Sequence, residues 1–244
     1  MTEGTDPRDG LIRRRLEDTG SVVIFSSGKG GVGKSTIAAC SAYLMAGSRS
    51  VGILDMDIHG PSIPALFGAR GTGFRESRDG LIPARVENIP LMSIDMFAGG
   101  RGLPVRGAGK VEALKDMLAI TNFGPIDMLV VDMPPGTGDE FLTALEMFGD
   151  RCSVLFVTQP SALSWNVTRR AVEIALEMKS DIAGVIQNMG KRSGRISSDC
   201  SRMHVPSLGA VGYHSSVGDR TVRELRGSAF MRELKKVLEN ASLL

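Results

Sequence analysis

Nine residues constrain this chain more than any others: Gly28-Lys29-Gly30-Gly31-Val32-Gly33-Lys34-Ser35-Thr36. They satisfy the pattern G-x-x-x-x-G-K-[ST] and directly follow a short apolar run, 22–26, that reads as a buried strand. The stretch 34–47 behind them has a helical pattern. Strand, glycine loop and helix in that order make an anion cradle. Glycines let successive backbone N–H groups turn inward, and the helix aims its positive end at the same point. Lys34 is therefore expected to reach the terminal phosphates of a nucleotide. Ser35 is expected to ligate Mg²⁺, with Gly30, Gly31, Val32, Gly33 and Thr36 completing the cradle. A glycine-rich turn without a ligand would leave Lys34 and Ser35 unexplained.

The rest of the chain supplies a fitting scaffold. Short apolar runs, mostly without polar alternation, fall at 22–26, 51–56, 128–133, 154–158, 182–188 and 208–213. Helical patterns lie between them at 34–47, 109–120, 139–148 and 162–178. Strands apolar on both faces and alternating with helices predict an α/β, doubly wound, mostly parallel sheet covered by helices on both sides. The stretch 71–96 reads as a hairpin-like insertion on the same domain, and the polar stretch 190–201 as a mobile loop. An N-terminal arm, 1–20, is expected to precede a single domain, 21–244.

With 244 residues, 42% of them hydrophobic, the chain can bury a large core, which excludes a disordered or collagen-like protein. Three scattered cysteines, Cys40, Cys152 and Cys200, cannot make a disulfide framework and point to a reducing, cytoplasmic setting. Residues 1–10 lack the pattern of a secretory signal, and no apolar run reaches the roughly 18 residues of a membrane span. A net charge of +2 gives no reason to expect a nucleic-acid partner.

Acids end two of the apolar runs: Asp132 after 128–131, and Asp55 with Asp57 after 51–54. In a doubly wound sheet the carboxyl ends of the strands converge on the ligand crevice. Asp132 is expected to hold Mg²⁺, in the Walker B manner.

At this point a resemblance becomes specific. Lys29, an extra lysine early in the loop, marks the deviant Walker A class that includes ParA, MinD and the nitrogenase iron protein. Within it the chain most resembles the Mrp (ApbC-like) ATPases, which are iron–sulfur cluster carriers. The shared segments are 27–36, Leu54-Asp-Met-Asp-Ile-His-Gly-Pro-Ser62, Asp79-Gly-Leu-Ile-Pro83 and Val131-Asp-Met-Pro-Pro-Gly-Thr-Gly-Asp139. Val157-Thr-Gln-Pro160, Gly184-Val-Ile-Gln-Asn-Met189 and Val205-Pro-Ser-Leu-Gly209 follow in family order. The resemblance implies Mg²⁺-dependent ATP hydrolysis by a homodimer that closes around two ATP molecules. Lys29 would reach the partner's nucleotide, Asp57 would orient the attacking water with Asp55 supporting it, 134–138 would be the moving switch, and Asn188 would read the adenine edge. An iron–sulfur cluster would be the cargo, and a client apo-protein its recipient.

The chain departs from that family in one place of consequence. Cluster carriers have Cys-x-x-Cys between the Asn-Met and Pro-x-Leu-Gly segments; here that interval, 190–204, holds only Cys200. Across a two-fold axis, Cys200 and His204 would give a Cys₂His₂ set of the kind zinc accepts, so Cys200 is a candidate ligand for a cluster or for zinc. Smaller departures are Cys40, Asn166 and Gly212, where the family commonly has Asn, Asp and Pro. Three readings stay open: a cluster carrier, a cluster-free ATP-dependent adaptor, and a positioning ATPase like MinD or ParA. The last would use the amphipathic tail, with Phe230, Leu234, Val237 and Leu238 on one face, against a membrane.

Overall fold

The computed structural model describes residues 6–58, 60–98 and 108–244. Residues 1–5 of the expected arm and His59 of the 54–62 segment lie outside the described residues. Among the described residues, nine strands form one sheet in the order β3-β4-β5-β2-β6-β1-β7-β8-β9. Seven of them run parallel: β1 (Thr19–Ser26), β2 (Val51–Asp55), β5 (Ile89–Ser93), β6 (Ile126–Asp132), β7 (Cys152–Thr158), β8 (Asp181–Asn188) and β9 (Ser207–Val211). Successive side chains of β1 show why these runs lack polar alternation. Val22 and Ile24 enter one core and Val23 and Phe25 the other, so neither face meets water.

One face is covered by α1 (Pro7–Glu17), α5 (Ala108–Ile120), α6 (Asp139–Phe148), α7 (Ala162–Glu177) and α8 (Gly194–Arg202). The other is covered by α2 (Lys34–Met45), the short α3 (Ile63–Leu66) and α9 (Ala229–Glu239). The short α4 (Ile94–Ala98) follows β5. Residues 7–17 of the expected arm thus form a helix. Asp6 caps it by accepting from the Arg8 backbone N–H at 3.0 Å, and Ile12 and Leu16 are buried in the first core.

Two stretches differ from the sequence reading. The insertion does contain a hairpin, β3 (Phe74–Ser77) with β4 (Gly80–Val86), but the sheet does not end there. β4 turns through Glu87 and Asn88, both at positive φ, into β5, which joins the parallel sheet beside β2. The expected mobile loop at 190–201 contains a folded helix, α8. Its Ile196 and Cys200 are buried, and Trp165 of α7 donates its indole N–H to Asp199 at 2.7 Å. Polar composition signalled a loop, whereas the short amphipathic period of one buried side was the stronger determinant.

Candidate functional site

The carboxyl ends of the central strands stand in a row. Asp132 is in register with Phe25 on one side and Asp55 on the other, and Asp55 with Ser93. β1 runs out into the glycine loop, and Gly33, at φ +80°, is the N-cap of α2. Gly31 is also left-handed, at φ +76°. These two positions require glycine because an L side chain there strains the backbone. Gly28 requires it for a different reason: a Cβ would stand 2.4 Å from the Thr168 backbone nitrogen of α7.

Lys34 opens α2 and turns inward. Its Nζ lies 2.5 Å from Asp132 Oδ1 and 3.2 Å from Ser35 Oγ. Both partners are buried, Lys34 at 5% exposure and Asp132 at 0%. The second carboxylate oxygen, Asp132 Oδ2, is buried and has no hydrogen-bond partner among the described residues. Burial pushes the Asp132 carboxyl up, and Lys34 pulls it partly back. An orphaned carboxylate oxygen beside the Ser35 hydroxyl is a donor set suited to Mg²⁺, which takes oxygen ligands.

Asp55 is also fully buried, and burial together with the neighbouring Asp132 charge pushes it up to about 8. Its oxygens accept from the Asp57 N–H (3.2 Å), the Ile63 N–H (3.2 Å) and Ser93 Oγ (3.1 Å). It therefore organises the loop after β2 from inside. Asp57 Oδ1 accepts from the Gly60 N–H at 3.1 Å. Asp57 lines one cleft with Lys29, Pro135 and the loop from Gly30 to Thr36. The Gly136 N–H donates to the Ser27 carbonyl at 2.8 Å, tying the Pro-Pro-Gly segment to the root of the glycine loop.

Asn188 ends β8 and donates through Nδ2 to the Val32 carbonyl at 2.9 Å, while its Oδ1 is buried without a partner among the described residues. Asn188 also lines a second cavity, of about 250 Å³, with Gly33, Thr36, Met189, Gly212, Tyr213, His214, Ser215, Val217, Gly218 and Phe230. Gly33 and Thr36 line both this cavity and the phosphate cleft, so the two are contiguous. Sequence reading singled out Lys29, Lys34, Ser35, Asp57, Asp132 and Asn188, and the fold brings all of them to this region. It missed Ser93 and the wall of the second cavity. Glu233 of α9 holds that wall by accepting from the Gly212 N–H at 2.7 Å and bonding His214 Nε2 at 3.2 Å. The only signal was Gly212 standing where the family commonly has proline, which leaves an N–H free to donate.

Cys200, the candidate ligand for a cluster or zinc, stands on α8. The thiol is buried on the inner side of α8, and burial pushes it up to about 11, whereas His204 is exposed on the turn beyond the helix. Within one copy the two side chains thus differ in exposure. Among the described residues no group of three or more His, Cys, Asp or Glu is placed to hold a metal ion.

A mostly parallel sheet carrying a strand–glycine loop–helix, with Lys29 early in the loop and Lys34 against a strand-end acid, defines a P-loop NTPase of the deviant Walker A kind. The chain belongs to a particular family of these: residues 18–226 match the family model described as NUBPL iron-transfer P-loop NTPase. An iron–sulfur cluster carrier protein of Saccharolobus solfataricus is 40% identical over 67% of this chain and 56% of its own length. A cytosolic Fe-S cluster assembly factor, Nubp1 homolog, of Drosophila pseudoobscura is 32% identical over 84% of this chain and 75% of its own. The chain thus spans little more than half of the archaeal relative. Among solved structures, a nucleotide-binding protein from Archaeoglobus fulgidus in complex with ADP superposes with TM-score 0.74 at 27% identity, over 96% of this chain and 92% of that one. The cell division ATPase MinD of Pyrococcus furiosus, with TM-score 0.67 at 19% identity over 91% of this chain and 98% of its own, shares the fold alone. Among the described residues no helix is long and apolar enough to cross a membrane.

Proposed function

We propose that this chain binds ATP with Mg²⁺, hydrolyses it slowly as a homodimer, and serves as a nucleotide-driven switch in iron–sulfur cluster assembly. The observation that carries the nucleotide assignment is the junction at Gly33 and Thr36, where a cationic cleft meets a mixed apolar and polar cavity. A molecule with phosphates at one end and a base at the other spans both. In this reading the Asn188 side-chain amide, in the cavity wall, reads the edge of the adenine base.

In this reading Lys34 leaves Asp132 for the terminal phosphates, and Ser35 and Asp132 hold Mg²⁺, which neutralises phosphate charge when bound. Asp57 orients a water whose oxygen attacks the γ-phosphorus as the bond to the bridging oxygen breaks. Lys29 reaches the nucleotide of a second copy. The family names of the relatives support cluster assembly as the setting, with a client apo-protein as partner. The MinD-like reading is weaker, because Phe230, Leu234, Val237 and Leu238 of α9 are buried in the second core.

Calorimetric titration with ATP and GTP, light scattering and phosphate release test the proposal together. Wild type should bind ATP over GTP and dimerise with ATP. Lys34→Ala should lose binding, while Lys29→Ala should keep binding and lose dimerisation or turnover by at least about tenfold. Full turnover in the Lys29 variant would overturn the trans assignment, and absence of ATP binding by wild type would overturn the function.

A further inference from the structure

We infer that none of the thiols in these 244 residues holds an iron–sulfur cluster, so that in cluster assembly every thiolate ligand comes from outside them. The second clause rests on the function proposed above; the first stands on the cysteines alone.

A cluster needs converging thiolates, commonly four. The 244 residues contain three cysteines, and all three are buried. Cys40 lies in α2, in the core on one face of the sheet, while Cys152 and Cys200 lie in the core on the other. Cys152 opens β7, at the amino end of the sheet, away from the strand ends that form the cleft. The three therefore do not gather in one place, and among the described residues no group of three or more His, Cys, Asp or Glu is placed to hold a metal ion.

A symmetric dimer would double each thiol, but only an exposed one can meet its mate. Cys200 is the candidate by position, because it stands in the interval where cluster carriers have their cysteine pair. Here that interval is locked shut. Asp199 accepts the Trp165 indole N–H at 2.7 Å, Gln187 Oε1 accepts the Ser193 N–H at 2.7 Å, and the Ser197 and Ser207 hydroxyls lie 3.2 Å apart. The Val205 N–H closes the end of α8 on the Cys200 carbonyl at 3.0 Å. Presenting the sulfur would require α8 to leave the sheet and expose Ile196 and Trp165 with it. Burial also keeps the thiols protonated, with Cys40 pushed up to about 12 and Cys152 and Cys200 to about 11.

Anaerobic labelling of the native chain with iodoacetamide, read by mass spectrometry with and without Mg²⁺ and ATP, tests this without any variant. All three thiols should label at least about a hundredfold slower than in urea, in both states. Incubation of the same sample with ferrous iron and sulfide should leave no cluster bound to the chain, nor to Cys200→Ser. Rapid labelling of Cys200 in either state would overturn the inference, as would bound iron and sulfide that Cys200→Ser loses. ATP binding is measured in parallel. Its absence would sink the proposed function and leave the cysteine inference standing, whereas closed thiols in an ATP-bound protein support both.

Discussion

Lys34 Nζ and Asp132 Oδ1 lie 2.5 Å apart in the buried centre of the cleft, so the chain's own ammonium sits on the acid that is expected to hold the metal. Replacing only one of them strands a buried charge. Lys34→Met should destabilise the protein by about 3–5 kcal/mol, lessened to the extent that Asp132 takes up a proton. The double variant Lys34→Met/Asp132→Asn should recover most of that loss without recovering ATP binding. Urea unfolding of both singles and the double measures the coupling, expected at about 3 kcal/mol or more. Additive losses would show that the pair is not a pair in solution.

Asp55 makes stability depend on pH. Its carboxyl titrates near 3.8 when unfolded and near 8 when folded. Between those values the folded chain holds the extra proton, so this contribution is largest below the lower value and is lost as pH rises through the upper. Unfolding free energy of the nucleotide-free protein should therefore decline from about pH 5 to about pH 8. The decline should be shallower in Asp55→Asn and in protein holding Mg²⁺ and ATP, since a nearby cation favours the ionised carboxylate. An identical slope in Asp55→Asn would assign the effect elsewhere.

Two glycines of one loop should fail differently. A Cβ at Gly28 meets the α7 backbone at 2.4 Å, so Gly28→Ala should cost about 1–3 kcal/mol or more by overpacking. Gly31 has open space around it, and its φ of +76° makes Gly31→Ala cost about 1–2 kcal/mol of local strain. The second variant should lose ATP affinity out of proportion to its stability. Chemical denaturation beside ATP titration separates the two.

α9 offers its apolar side to the protein rather than to lipid. Leu234 is fully buried, so Leu234→Ala should destabilise the fold by about 2–5 kcal/mol. Wild type should not sediment with anionic vesicles, with or without ATP. Sedimentation that requires ATP would reopen the MinD-like reading.

The sheet was legible because its strands are buried on both faces and so read as unbroken apolar runs. The phosphate half of the site was legible because its chemistry is local: 28–36 and the strand-end acids each carry their meaning within a few residues. The base cavity was not, because Asn188, His214 and Phe230 come together only when β8, the turn after β9 and α9 pack. α8 was misread for a related reason. One side of a nine-residue helix buries only Ile196 and Cys200, too little apolar signal to outweigh glycine, serine and arginine around it.

Trp165 is the sole tryptophan of the chain, and it is fully buried with its indole N–H on Asp199 of α8. The molecule thereby carries a native optical reporter on the segment whose closure decides whether Cys200 can ever be reached. Any opening of α8, by nucleotide, partner or heat, wets one indole and breaks one hydrogen bond, and so changes a single tryptophan emission band, which red-edge excitation separates from the two tyrosines.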